Sequence, residues 1–320
     1  MSAPRDAETL ADAAYLYYVE DMSQEQVAKA LATTRSNVSR MLRAARQRGI
    51  VRFQVVRPLN RQRALESAIM EQFRVTEAIV LAADAAIDTL PQVGELAARW
   101  VTDNVKDGMR LTLSWGRTLN AMAGALKVDA AVDVDVVQMG GDLQLDPQYS
   151  GHELVREVAA RLGGQYSYLH APAILDTAEM VRELRSLRAI EAQLYKARTA
   201  DLALVGVGAY GQGFAAQLLE SAHLTAEERA AFEGSPPAGD ILGRFFDSAG
   251  GQLDTPLRER VLALELEEVR AIPTVVGMAA GASKGPGIWG ALRGGWVDVL
   301  ITDQAAAASA LHLHREMTTS

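Results

Sequence analysis

Forty consecutive residues between Glu25 and Glu66 contain no Asp or Glu, and ten of them are basic. Those ten are Lys29, Arg35, Arg40, Arg43, Arg46, Arg48, Arg52, Arg57, Arg61 and Arg63. The whole chain carries a net charge of −8, so the other 280 residues hold 22 basic and 40 acidic side chains, a net −18. Segregation on this scale implies two modules with different partners. A polyanion suits the first and is repelled by the second. Nucleic acid is the obvious candidate, because neutralising phosphates with Lys and Arg releases condensed counterions and drives binding.

At 320 residues the chain exceeds one ordinary hydrophobic core, and two domains are expected. Its hydrophobic content of 49 % suits a well-cored protein. No apolar run reaches the roughly 20 residues of a membrane helix, so no membrane partner is expected. The first residues lack the basic flank, apolar stretch and cleavage pattern of a secretory signal. Zero cysteines exclude disulfides, thiolate metal sites and a cysteine nucleophile. The five histidines, with His312 and His314 near the end, offer no zinc spacing. The expectation is a cytoplasmic protein with neither metal nor cofactor.

Apolar Ala14, Leu16, Tyr17 and Val19 recur at helical spacing and predict a helix over about residues 7–20. Ser23, with Gln26 three positions on, has the pattern of a capping box for a second helix over residues 24–31. A short turn at Ala32-Thr33 leads to Thr34, a second N-cap, and a third helix over residues 35–48. Val38, Met41 or Leu42, and Ala45 share one face of it, and Gly49 ends it. The opposite face shows Arg35, Ser36, Asn37, Ser39, Arg40, Arg43 and Arg46. Residues 50–56 alternate like a strand or wing.

Two short helices, a tight turn and a polar third helix describe a helix-turn-helix reader of double-stranded operator DNA. In that geometry Arg35 and Arg40 face guanine edges, Asn37 faces adenine, and Ser36 and Ser39 touch base or phosphate. Arg43, Arg46 and Arg52 grip phosphates, positioning without reading sequence. Ser23, Gln24 and Thr34 complete the expected DNA face. The plain alternative is a solvated arginine-rich helix.

Residues 57–60 break the pattern. Helical periodicity resumes over residues 61–73, and short apolar runs then alternate with helical segments. Strands are expected at 78–82, 110–114, 134–139, 166–169, 202–207, 275–278 and 297–301. Helices are expected at 91–105, 119–126, 152–162, 178–197, 215–221, 226–233 and 286–292, with another over the Ala-rich 305–310. Such alternation argues a mostly parallel sheet with helices on both faces. The fold class expected is therefore α/β: an all-α helix-turn-helix domain at 1–57 and a larger Rossmann-like effector domain at 58–320.

In such folds ligands sit beyond the carboxyl ends of strands. Four loops qualify. Leu113-Ser114-Trp115-Gly116-Arg117-Thr118 opens a helix with amides, hydroxyls and a cation suited to an anion. Met139-Gly140-Gly141-Asp142, Gly206-Val207-Gly208, and residues 277–287 with Ser283 and Lys284 are the others. Each has an ordinary reading: glycines as tight turns, Lys284 as a surface lysine, Asp303 as a helix cap, Trp115 and Trp289 as core. The third glycine of a dinucleotide fingerprint and the Gly-Lys-Ser/Thr of a P-loop are both missing, which favours a small polyhydroxylated anion over a nucleotide. A sugar-phosphate isomerase or lactonase with a DNA-binding arm is the rival. It would need a general base, for which Asp240, Asp142 or Asp303 could serve, but no His or Glu stands in the glycine loops. No catalytic residue is assigned.

The chain resembles the SorC-type sugar-binding transcriptional regulators over nearly its whole length. The resemblance is carried by Tyr18-Val19-Glu20-Asp21-Met22-Ser23-Gln24-Glu25-Gln26-Val27-Ala28, Val38-Ser39-Arg40-Met41-Leu42 and Gly49-Ile50-Val51 in the reader. In the body it is carried by Trp115-Gly116-Arg117-Thr118-Leu119, Ala171-Pro172-Ala173-Ile174, Leu204-Val205-Gly206-Val207-Gly208, the run from Gly239-Asp240-Ile241 to Phe245-Phe246-Asp247, and Leu300-Ile301-Thr302-Asp303. It implies an effector domain related in fold to sugar-phosphate isomerases. It implies sugar, polyol or sugar-phosphate effectors, and dimers or tetramers on operators. Carried over, Ser114, Trp115, Gly116, Arg117 and Thr118 take the anionic end, and Gly140, Gly141, Asp240, Lys284 and Asp303 line the sugar. Some relatives place a Schiff-base lysine before the glycine pair. Met139 stands there here, which argues against covalent capture.

Overall fold

The computed structural model describes residues 7–51, 59–83, 88–143 and 150–318. The chain divides between Pro58 and Leu59 into two compact units. Most of the expected wing at 50–56, with Arg52 and Arg57, lies outside the described residues.

The first unit is three helices: α1 (Ala7–Tyr18), α2 (Gln24–Ala30) and α3 (Arg35–Gln47). Its core joins Leu10 and Ala13 of α1, Val27 of α2, and Val38, Met41 and Ala45 of α3. Alone, helices this short are marginal in water, so burial of that shared stripe is what holds them. Local chemistry sets their ends. Ser23 Oγ accepts from Gln26 N at 3.3 Å, while Gln26 Oε1 accepts from Ser23 N at 2.9 Å. Thr34 Oγ1 accepts from Asn37 N at 3.3 Å and starts α3. Between them Ala32 turns the chain at φ 47, and Gly49 ends α3 at φ 70.

The second unit contains a seven-stranded, fully parallel sheet. Its strands are β1 (Glu77–Leu81), β2 (Arg110–Leu113), β3 (Asp135–Gln138), β4 (Gln165–Ser167), β5 (Leu202–Gly206), β9 (Val275–Met278) and β10 (Val299–Asp303). They lie in the order β1-β10-β9-β5-β2-β3-β4. Successive side chains enter two cores, as the pleat requires. Ala78, Val80 and Leu300 face one, and Ile79, Leu81 and Ile301 face the other. Helices α5 (Leu90–Asn104), α6 (Arg117–Ala125) and α7 (Gly151–Leu162) cover the second face. The first is covered by α4 (Arg63–Gln72), α9 (Arg188–Arg198), α13 (Gly285–Gly294) and α14 (Gln304–Thr318).

All seven expected strands form. The single helix expected over 178–197 is two, α8 (Ala178–Ser186) and α9, separated by extended Leu187. The break lets α9 lay Ile190 and Leu194 into the core, whereas α8 buries only Val181. A second, antiparallel sheet was not anticipated: β6 (Gly208–Ala209), β7 (Gly239–Ile241) and β8 (Arg244–Phe246). Strands of two or three residues are too short to show a period. The β7–β8 turn has Leu242 at φ 59 and Gly243 at φ 71, the backbone of a tight hairpin. Arg244, 1 % exposed, anchors it by donating to the carbonyls of Val261 and Ala263, both at 3.1 Å, and pairing with Glu265 at 2.8 Å.

Candidate functional site

From β2 the chain steps outward through β3 to β4, and from β5 it steps the other way through β9 to β10. The order therefore reverses between β2 and β5, and a crevice opens beyond their carboxyl ends. A pocket occupies that place. From the end of β2 come Trp115, Gly116, Arg117 and Thr118; from β5, Gly206, Val207 and Gly208; from the hairpin, Asp240 and Leu242; from β9 onward, Met278, Ala280 and Lys284.

The anion-attracting side is built from α6. Gly116, at φ 141, precedes the helix and no side chain caps it. The first amides of α6 thus remain available at the positive end of the helix dipole. Arg117 is exposed beside them, and Lys284 reaches the same pocket from the start of α13. Burial holds the Lys284 ammonium below its ordinary pKa; the Asp240 carboxylate opposes this and Arg117 adds to it.

Asp240 is the odd group. It is 7 % exposed. Its Oδ2 accepts from Gly243 N at 3.2 Å, while Oδ1 is buried with no hydrogen-bond partner among the described residues. Burial raises its pKa from the ordinary 3.8 to about 6, against the lowering effects of Lys284 and the Gly243 amide. Buried polar atoms are normally paired, and an orphaned carboxylate oxygen in the wall of a pocket is an exception that a ligand's donor would relieve. Hydroxyl donors at Asp240, an anionic group at Arg117, Lys284 and the α6 amides, and an apolar wall of Trp115, Leu242 and Met278 describe a small polyhydroxylated anion.

Other expected site residues stand behind this wall. Ser114 is 2 % exposed, and its Oγ accepts from Gly206 N at 3.0 Å, tying β2 to β5. Gly141 N donates to Leu262 O at 2.8 Å, and a Cβ on Gly140 would meet Ala263 at 2.8 Å and the Trp115 ring at 3.0 Å. Those glycines let backbone and indole approach closely; they are not among the pocket's lining residues. Asp303, 1 % exposed, accepts from Thr89 Oγ1 at 2.6 Å, Gly281 N at 2.5 Å and Ala306 N at 2.9 Å. It caps α14 and pins the turn that leads to Lys284. Met139 is fully buried in the core. Gly206 and Gly208 were noticed as a strand end without being assigned to the site. Leu242 lies in the Gly239–Asp247 run without a site role assigned to it, and Leu90 carries no sequence signal, since only the fold brings it here.

In the first unit, Arg35, Ser36, Ser39, Arg40, Arg43 and Arg46 are all exposed on α3. Asn37 is half-buried, and its Nδ2 donates to Thr33 Oγ1 at 2.7 Å, bracing the turn. Ser23 and Thr34 are exposed caps, and Gln24 is half-buried at the start of α2. Among the described residues no helix is long and apolar enough to cross a membrane, and no group of His, Asp and Glu is placed to hold a metal.

A three-helix unit with an exposed arginine face, in one chain with a parallel α/β unit that has a pocket at its switch point, defines a ligand-responsive transcriptional regulator. Residues 57–312 match the Sugar-bind family, described as "Putative sugar-binding domain". A deoxyribonucleoside regulator of Bacillus subtilis is 31 % identical over 300 residues, spanning 92 % of this chain and 95 % of its own. The sorbitol operon regulator of Klebsiella pneumoniae is 29 % identical over 307 residues, spanning 94 % and 97 %. The crystal structure of full-length SorC from Klebsiella pneumoniae superposes with a TM-score of 0.71, covering 96 % of this chain and 99 % of that one at 29 % identity. The chain belongs to the Sugar-bind family and is a SorC-type sugar-binding transcriptional regulator.

Proposed function

We propose that residues 1–57 read an operator through α3, and that residues 58–320 bind a sugar, polyol or sugar-phosphate effector and assemble the protein as a homo-oligomer. The observation that carries the effector reading is Asp240, a buried carboxylate with an unpartnered oxygen that interacts with Lys284 and shares its pocket with Arg117 and an uncapped helix start. Arg117, Lys284 and the Gly116–Thr118 amides take the anionic end; Asp240 takes hydroxyls; Trp115 covers an apolar face of the ring. Ser114, Gly140, Gly141 and Asp303 support these groups from behind. In the reader, Arg35, Ser36, Ser39 and Arg40 meet base edges, Arg43 and Arg46 meet phosphates, and Asn37 exchanges Thr33 for adenine.

One reader helix spans one half-site, so a dimer or tetramer on a repeated or pseudo-palindromic operator follows. The effector acts by binding two states unequally; a coupling of about 1–3 kcal/mol changes operator affinity roughly 5- to 150-fold. The protein works in the cytoplasm, where operator and phosphorylated sugars meet.

A raised carboxyl pKa is also what a general base requires. No His or Glu lines the pocket among the described residues, which favours binding without turnover. The test titrates a panel of sugars and sugar phosphates into full-length protein on labelled operator, assaying turnover in parallel. A saturable shift in operator affinity with no product supports the regulator, and Arg117→Ala should lose that shift while keeping effector-free binding. Catalytic turnover, or a panel-wide absence of any shift, would overturn it.

A further inference from the structure

The second unit has another strongly cationic hollow, at the far end of α13. Lys284 begins that helix at the effector pocket, and its last residue, Gly294, lines the hollow. Ten residues of helix separate the two ends by about 15 Å. Arg74, just past α4, Arg270, the last residue of α12 (Leu266–Arg270), Arg293 of α13 and His314 of α14 surround the space, with Gln72 beside them. Among the described residues no carboxylate lines it.

Each arginine lies in or just beyond the last turn of a helix, where a positive charge is favourable on its own account by about 0.3–1 kcal/mol. That local effect leaves two features unexplained. Some arginines of this unit, such as Arg61, Arg161 and Arg260, are ion-paired and others, such as Arg182 and Arg188, are not; among the described residues the three that share this hollow, Arg74, Arg270 and Arg293, form no ion pair. Two of them are also held flat. The Arg270 guanidinium lies 5.1 Å over the Trp296 ring, and that of Arg293 lies 5.3 Å over Trp289. Gly295, at φ 62, ends α13 and allows the turn that returns Trp296 under Arg270. Arg293 Nη1 donates to Ser248 O at 2.9 Å, leaving its other N–H groups unengaged by any carboxylate. Stacking fixes the guanidinium planes while leaving their edges as donors, an arrangement that matches phosphate oxygens.

We infer that this cleft is a second binding site, for a compact, multiply charged anion of the phosphate or polyphosphate class. Two elements link it to the effector pocket. One is α13; the other is the chain that leaves the Asp240 hairpin through β8 and places Ala249 in the cleft wall. The inference does not depend on what fills the effector pocket.

Inorganic pyrophosphate, titrated calorimetrically into the full-length protein, tests it. The wild type should bind at this cleft, and Arg270→Ala with Arg293→Ala should weaken that binding at least tenfold. Arg117→Ala can weaken pyrophosphate binding only at the effector pocket, so it should keep the binding component that the double alanine variant loses, which separates the cleft from the effector pocket. The doubly conservative Arg270→Lys, Arg293→Lys variant should fall between, because it keeps charge and loses the stacked fork. Arg74→Ala, which disturbs no aromatic stack, should weaken the same binding even if the double variant folds poorly. Binding lost entirely in Arg117→Ala, or unchanged in both Arg74→Ala and the double alanine variant, would overturn the assignment.

Discussion

Gly208 and Asp240 are paired across the β6–β7 ladder so closely that a methyl group built on Gly208 would overlap Asp240 Oδ1. Gly208→Ala must therefore displace the carboxylate or the strand that carries it. Operator binding without effector should persist, while the effector concentration needed for response should rise at least tenfold. Fluorescence anisotropy of labelled operator reads both. An unaltered response would mean that the Asp240 oxygen plays no part in recognition.

Asp240 also ties stability to pH. Its folded pKa of about 6 lies above the ordinary 3.8, so the folded state holds the proton more tightly than the unfolded state. The associated stability is complete below about pH 4, declines as pH rises toward 6, and is gone above that. At 1.36 kcal/mol per pKa unit the whole effect is about 3 kcal/mol. Asp240→Asn should therefore stabilise the protein more at pH 7.5 than at pH 4.5, while abolishing effector response. Denaturant melts of both proteins at the two pH values check the sign; an equal difference at both would contradict it.

Arg40 is exposed on α3, one turn beyond the helix start, with Val38 and Met41 beside it buried. Arg40→Ala should cost about 1–3 kcal/mol of operator binding and relax preference at one base pair. A uniform loss across operator variants, with a shallower salt dependence, would reassign it to phosphate contact.

Ala32 sits at φ 47 in the turn between α2 and α3. Left-handed backbone costs an L-residue roughly 1–2 kcal/mol, partly offset in glycine by its greater unfolded-state freedom. Ala32→Gly should stabilise the first unit by up to about 1 kcal/mol. Slower amide exchange in α2 and α3 would show the gain; faster exchange would mean that the Ala32 side chain contributes packing greater than its strain.

Much of the site was legible because strand ends announce themselves: an apolar run followed by glycine or a small polar residue marks a loop at the carboxyl edge. Four such loops were recognised, together with Asp303 at the end of β10. They differ in whether chain from elsewhere packs over the loop, as Leu262 and Ala263 do at Gly140 and Gly141. The ends of β2, β5 and β9 lie at or next to the reversal of strand order, and Arg117, Gly208 and Lys284 line the pocket. The end of β3 lies as near the reversal as that of β9 and the end of β10 one strand farther, yet Gly140 and Asp303 both pack against neighbouring chain instead. Nothing in the residues themselves distinguishes the two groups. The break at Leu187 is not legible in the sequence for a related reason: residues on either side keep helical spacing, and only the cores they meet require the bend.

The acid-free basic stretch, the capping of α2 and α3, the exposed arginine face and the seven strands were all settled by the sequence by itself. Each depends on residues within a few positions of one another, through hydrogen bonds to nearby amides or the period of apolar side chains. Which loops converge, and that Asp240 is stripped of water with one oxygen unpaired, was decided only in the tertiary structure. Strand order and desolvation are set by groups far apart along the chain, and the cost of burying a charge exists only once those groups have closed around it.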